Sequence, residues 1–259
     1  MKIQKGKISY HSVKLNLVSN LVLGVLVLSV GALCLSPIDG VTQSGGEGTE
    51  IYRSADATSD GVSLMFNVYW GTEEVEKILQ ILDEFSAKAT FFIGGCWVDD
   101  NVDCLRKIYA SGHEIGNHTY SHIRSDKAEK TLFEREILSC TESVREITRQ
   151  TPTLFRPPEG AINDNLRELC NKLDYRIVLW SIDTEDWRHT PPEEIVSRVI
   201  REVKGGDIIL MHDYIGKGSP TPAALKKIIP ALIARGYRFV LVSELLNIGA
   251  DPTESEVNR

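Results

Sequence analysis

The sequence predicts an α/β domain built on a parallel sheet or a (β/α) barrel, and three observations carry that expectation. Short apolar runs alternate with amphipathic stretches from residue 62 to residue 242. Pro191 and Pro192 follow Thr190 at a helix start, and Gly205 and Gly206 follow a helix end. Residues able to do chemistry come just after the apolar runs. That is where such folds collect their ligands, at the C-terminal ends of the strands.

In chain order, 62–68 (Val-Ser-Leu-Met-Phe-Asn-Val) is a short, nearly continuous apolar run and reads as a strand. Residues 73–86 read as an amphipathic helix, and 89–93 (Ala-Thr-Phe-Phe-Ile) returns to strand. Helix 102–111 and strand 114–116 follow, then a long amphipathic stretch over 127–149 and strand 153–156. Helix 163–173, strand 176–180, helix 192–204, strand 207–211, helix 222–235 and strand 237–242 complete the alternation. No repeat of fixed length is visible.

Upstream of this pattern the composition changes. Lys2, Lys5, Lys7 and Lys14 precede an apolar run over 15–35, and no acidic residue occurs before Asp39. A basic flank before a run of about 20 apolar residues reads as a transmembrane signal anchor, its lysines kept in the cytoplasm. A cleaved signal peptide and a lipoprotein processed at Cys34 are the alternatives. The expected organisation is anchor over 1–36, a Gly/Ser/Thr-rich flexible linker over 37–60, a domain over 61–246 and a polar tail over 247–259. The domain then lies outside the cytoplasm, on the membrane or secreted if the signal is cut.

Four of the 29 basic residues and none of the 36 acidic ones fall in the first 36, which leaves the rest near a net charge of −11. Such a surface repels nucleic acid and favours a neutral or cationic partner. Cys96, Cys104, Cys140 and Cys170 lie outside the anchor. In an oxidising compartment they permit three disulfide connectivities, Cys96–Cys104 closing the shortest loop, or they remain buried thiols.

The chemistry-bearing segments are Met65–Glu74 (M-F-N-V-Y-W-G-T-E-E), Gly112–His122 (G-H-E-I-G-N-H-T-Y-S-H), Phe155–Gly160 (F-R-P-P-E-G), Leu179–Trp187 (L-W-S-I-D-T-E-D-W) and Ile209–Asp213 (I-L-M-H-D). They hold His113, His118, His122 and His212. His118 and His122 are four residues apart, so one helical turn would aim both imidazoles at a shared metal.

These segments, in this order and spacing, resemble those of polysaccharide deacetylases with a NodB-homology domain, carbohydrate esterase family 4. The W-G ending of the first segment resembles a variant branch of that family. The resemblance covers about 61–246 and implies a deformed (β/α) barrel with a divalent metal, often zinc, acting on an N-acetylated cell-wall or related glycan. By position His118 and His122 resemble the metal-binding histidines, and His212 the acid that protonates the departing amine. Asp186 resembles the carboxylate that orients His212, and Arg156 the arginine that steers the catalytic base. Trp187 and Leu210 resemble walls of the acetyl pocket, and Trp70 a groove residue that contacts the sugar. An amide yields only when its carbonyl is polarised and its nitrogen protonated, which a metal and a histidine supply.

The pattern breaks at the first motif, which in the family usually reads T-F-D-D-G. Its first Asp is the general base and its second the third metal ligand; here Asn67 and Val68 stand there. A lost base costs about 10²–10⁴ in rate, and the third protein ligand is left unassigned. Glu159, in R-P-P-E-G, is the expected replacement carboxylate, with Asp183 the second choice. The resemblance thus implies a metal-dependent deacetylase of reduced power. The alternative is a catalytically inactive glycan-binding or structural surface module.

Overall fold

The structure, a computed structural model, describes residues 50–213 and 218–247. The expected anchor, most of the linker and the tail lie outside the described residues. No described helix is long and apolar enough to cross a membrane.

The strands are β1 (Ile51–Tyr52), β2 (Gly61–Val68), β3 (Ala89–Ile93), β4 (Glu114–Asn117), β5 (Leu154–Phe155), β6 (Arg176–Val178), β7 (Ile182–Asp183), β8 (Ile208–His212) and β9 (Arg238–Phe239). Between them run α1 (Glu73–Glu84), α2 (Gly95–Asp100), α3 (Val102–Ala110), α4 (Lys130–Thr148), α5 (Asp164–Lys172), α6 (Pro192–Glu202), α7 (Pro220–Ala234) and α8 (Val242–Leu245). The sheet order is β1-β6-β5-β4-β3-β2-β8-β7, with β9 paired to β2. All strand pairs are parallel. The expected strand–helix alternation is therefore present. Strands β1 and β7 are additions: two residues show no periodicity, and β1 sits inside the expected linker. It is a strand because Ile51 and Tyr52 pair with Ile177 and Val178 of β6, a tertiary effect that local composition does not carry.

The segment after the first edge strand reaches back to the turn before β8. Ser54 bridges Asp207, and the Ala55 N–H donates to the Gly206 carbonyl at 2.8 Å. Gly205 and Gly206 make this approach possible. A Cβ on Gly205 would stand 1.7 Å from the Ser59 carbonyl oxygen, and Gly206 has φ +79°. Gly205→Ala must push the 55–59 segment away from the turn before β8 and is expected to cost ~1–3 kcal/mol, read as a lowered denaturant midpoint.

Side chains alternate across the strands, which sorts the core into two faces. Outward, Leu64, Phe66 and Val68 of β2, Phe91 and Ile93 of β3, and Ile209 and Met211 of β8 pack with Ile78 and Leu82 of α1 and Ile228 and Leu232 of α7. Inward, Met65, Phe92, Leu154, Val178 and Leu210 form a smaller apolar cluster. Stepping two residues along those strands from Met65, Leu154, Val178 and Leu210 reaches Asn67, Arg156, Trp180 and His212. The inner apolar cluster is thus the floor on which the polar site rests.

None of the four cysteines is paired: Cys104, Cys140 and Cys170 are buried thiols and Cys96 is half-buried. Cys104 and Cys170 belong to apolar clusters, where a small apolar side chain serves packing.

Candidate functional site

His212 ends β8 directly opposite Asn67 at the end of β2. Its Nδ1 lies 2.8 Å from Asp186 Oδ1, and its backbone N–H donates to Asp186 Oδ2 at 2.8 Å. Asp186 is wholly buried and accepts two more bonds, from Thr221 Oγ1 at 2.7 Å and the Trp187 N–H at 3.0 Å. A carboxylate takes no donor role, so Nδ1 carries the proton. In the neutral ring Nε2 then holds a lone pair. Asn67 Nδ2 stands 3.3 Å from that Nε2 and donates to it.

His118 follows β4 and is fully buried; its Nδ1–H donates to the Arg156 carbonyl at 2.7 Å. That bond leaves Nε2 bare, and Nε2 has no partner. The His118 and His122 rings sit 4.9 Å apart, edge to face. They are not on a helical turn, as the spacing suggested. Thr119 (φ +66°) and His122 (φ +57°) are left-handed, so a tight loop brings the imidazoles together. Burial holds both rings below the ordinary histidine range, with the His122 charge adding to the effect at His118. Neutral imidazole with one bare nitrogen is the form that binds a metal.

The carboxylates are elsewhere. Val68 points away into the outer core. Glu159 has a largely exposed side chain ion-paired with Arg124, which also holds Asp126. The replacement carboxylate expected at Glu159 is therefore engaged at the surface, and its charge reaches His122 only through space. Asp183 is half-buried, its Oδ1 accepting from the Glu185 N–H. Among the described residues no group of three or more His, Cys, Asp or Glu side chains is placed to hold a metal ion. The two imidazoles fit a cation only as an incomplete pair. His113 is also not part of the site: it lies before β4, at the opposite strand end, buried against Phe91.

Of the expected wall residues, Leu210 is a buried floor residue of the inner cluster. Trp187 (44% exposed) and Trp70 (56% exposed) are open to solvent, and Arg188 lies over the Trp187 ring at 4.7 Å.

Asp213 was not singled out by the sequence. It is buried, and its Oδ2 accepts from the backbone N–H groups of Tyr69 and Trp70 at 3.0 Å, fixing the turn after β2. Its Oδ1 has no partner, and burial pushes its pKa up to about 7. A raised folded pKa means stability is fully present below the unfolded value and is lost as pH rises toward 7. Asp213→Asn is therefore expected to match wild type near pH 4 and exceed it at pH 8 by on the order of 3 kcal/mol. Denaturant unfolding across that range checks the crossover.

Comparison with known proteins agrees with this geometry. Residues 54–178 match the polysaccharide deacetylase family. A peptidoglycan-N-acetylglucosamine deacetylase of Bacillus cereus is 41% identical over 66% of this chain and 80% of its own length. The fold is similar to a carbohydrate esterase family 4 pseudoenzyme of Bacillus anthracis (TM-score 0.71, 30% identity, 75% of this chain and 68% of that one). It is equally similar to a mutant of that pseudoenzyme with restored enzymatic activity (TM-score 0.71, 29% identity, 75% and 70%).

Proposed function

This chain belongs to the polysaccharide deacetylase family, as a NodB-homology domain of carbohydrate esterase family 4, and we propose that it removes N-acetyl groups from cell-wall glycan with slow turnover. The observation that carries this reading is the intact His212–Asp186 pair, held 2.8 Å apart on a buried carboxylate. Four donors satisfy the buried Asp186 carboxylate, which fixes the orientation of the imidazole and would stabilise it while protonated.

His118 and His122 would hold a divalent cation such as zinc, through the bare Nε2 of His118; bound there, it would polarise the acetamide carbonyl. Asn67 cannot take a proton. The lone pair on His212 Nε2 is the base that remains, so one imidazole takes the proton from the attacking water and then returns it to the departing amine. Asp186 keeps the Nδ1 proton fixed and stabilises the ring while it is charged. Trp70 and Trp187 offer exposed aromatic faces to the sugar rings. The signal-anchor reading of 1–36 would hold this cleft at the outer face of a cell membrane, within reach of wall glycan.

The test is acetate release from an N-acetylglucosamine oligomer by the full chain in detergent, with and without added zinc. Slow, zinc-stimulated release that His212→Ala abolishes supports the proposal. Glycan binding with no release at any zinc level defeats it. That second outcome is the pseudoenzyme reading, favoured by one observation: Asn67 stands where a base is needed.

A further inference from the structure

The loop that brings His118 and His122 together is a strained shape for its sequence. Thr119 (φ +66°) and His122 (φ +57°) are both left-handed without being glycine, a conformation that persists only where the surroundings over-determine it. Its first half is held by backbone. The His118 N–H donates to the Ile93 carbonyl, and the Thr119 and Tyr120 carbonyls accept from the Gly95 and Cys96 N–H groups, each at 3.0 Å. The Thr119 N–H donates to Asn117 Oδ1 at 2.8 Å, and Tyr69 Oη donates to the Tyr120 carbonyl at 3.1 Å. The second half depends on a side chain. Glu136, half-buried on α4, uses both carboxylate oxygens on Ser121, the exposed residue that leads into His122. Its Oε2 accepts from the Ser121 N–H at 2.6 Å and its Oε1 from Ser121 Oγ at 2.8 Å. Two bonds from one carboxylate fix the peptide and the hydroxyl of Ser121 together, and so the direction in which the chain enters His122. On its other side the His122 ring meets Tyr69, centroids 5.3 Å apart.

We propose that Glu136 is a positioning residue for the His118–His122 pair: by gripping Ser121 at two atoms it keeps His122 turned toward His118, in the arrangement where both imidazoles can take one divalent cation. The inference rests on the cation role given to these histidines above and goes beyond it by naming what sets their approach. Loosening the grip lowers the share of molecules with the pair assembled, and the apparent affinity falls by that share. The effect acts through Ser121, not through the charge of Glu136.

The experiment uses the full chain in detergent, stripped of metal by a chelator that is then removed, and titrated with zinc chloride against a chromophoric competitor. His122→Ala marks which part of the signal belongs to this pair. Glu136→Ala is expected to bind zinc at least about tenfold more weakly than wild type. Glu136→Gln is uncharged but can still accept from the Ser121 N–H and hydrogen-bond to its hydroxyl, so it should stay within about threefold of wild type. Ser121→Ala, which keeps the N–H bond, should weaken zinc about threefold alone and add nothing to Glu136→Ala. In the zinc-free chain, amide exchange over 119–122 should quicken in Glu136→Ala and not in Glu136→Gln. Undiminished zinc affinity in Glu136→Ala would overturn the proposal. So would a Glu136→Gln variant as weak as Glu136→Ala, which would make the carboxylate a distant charge only, and so would a wild-type chain that takes up no zinc. No glycan enters this assay. An affinity indifferent to Glu136 therefore leaves the deacetylase reading standing, and a chain that binds zinc through this loop but releases no acetate leaves this inference standing.

Discussion

Replacing Asn67 by Asp is expected to raise the rate of acetate release by about 10²–10⁴, the usual worth of a positioned general base. The substitution keeps shape and volume, so β2 and its register with β8 need not move. A carboxylate 3.3 Å from His212 Nε2, where the amide N–H now donates, would instead accept a hydrogen bond from a protonated Nε2–H. The imidazole would then enter the reaction charged, held between two carboxylates, and would serve only as the acid. Dividing base and acid between two groups removes the need for one ring to change roles within a turnover. The added charge is buried, but pairing with His212 offsets its desolvation. Initial rates with saturating zinc, at equal protein concentration, measure the gain. A variant no faster than wild type would mean that the base is not what limits this cleft.

Asp186→Ala is expected to lose ~3–5 kcal/mol of folding stability, as removal of one partner from a buried charged network does. Four donors would lose their acceptor together: His212 Nδ1, the His212 and Trp187 N–H groups, and Thr221 Oγ1. These bonds tie β8 to the start of α7 and to the turn between Glu185 and His189, both of which have positive φ. Thr221→Val removes a single bond and should cost only ~1 kcal/mol. Urea midpoints for the two variants test the ranking. Near-equal losses would show that Asp186 orients His212 without bracing the fold.

Much of this architecture was legible because its signals are local. The run Ala89–Ile93 is a strand over the expected residues, and helix ends near Pro192 and Gly205 fall where the backbone chemistry of those residues puts them. The inward set was legible too, since Asn67, His118, Arg156 and His212 each follow an apolar run. What stayed hidden depends on contacts distant in sequence. Strand β1 exists only through β6, and β7 only through β8. Glu159 looked available because Arg124, 35 residues earlier, cannot be paired with it by inspection. Asp213 was overlooked beside His212, since its burial and its bonds to Tyr69 and Trp70 arise from the turn after β2. The spacing of His118 and His122 indicated the right neighbours through the wrong geometry, a loop with two left-handed residues in place of a helical turn.

Acetate release by Asn67→Asp should be measured beside release by the double variant Asn67→Asp, His212→Ala on the same N-acetylglucosamine oligomer. If His212 and Asp186 form a working acid half that lacks only its base, the histidine substitution erases the gain, a fall of about 10²–10⁴. A double variant that turns over as fast as Asn67→Asp alone would show that the proton on the leaving amine comes from elsewhere, and the paired imidazole and carboxylate would then be part of the scaffold.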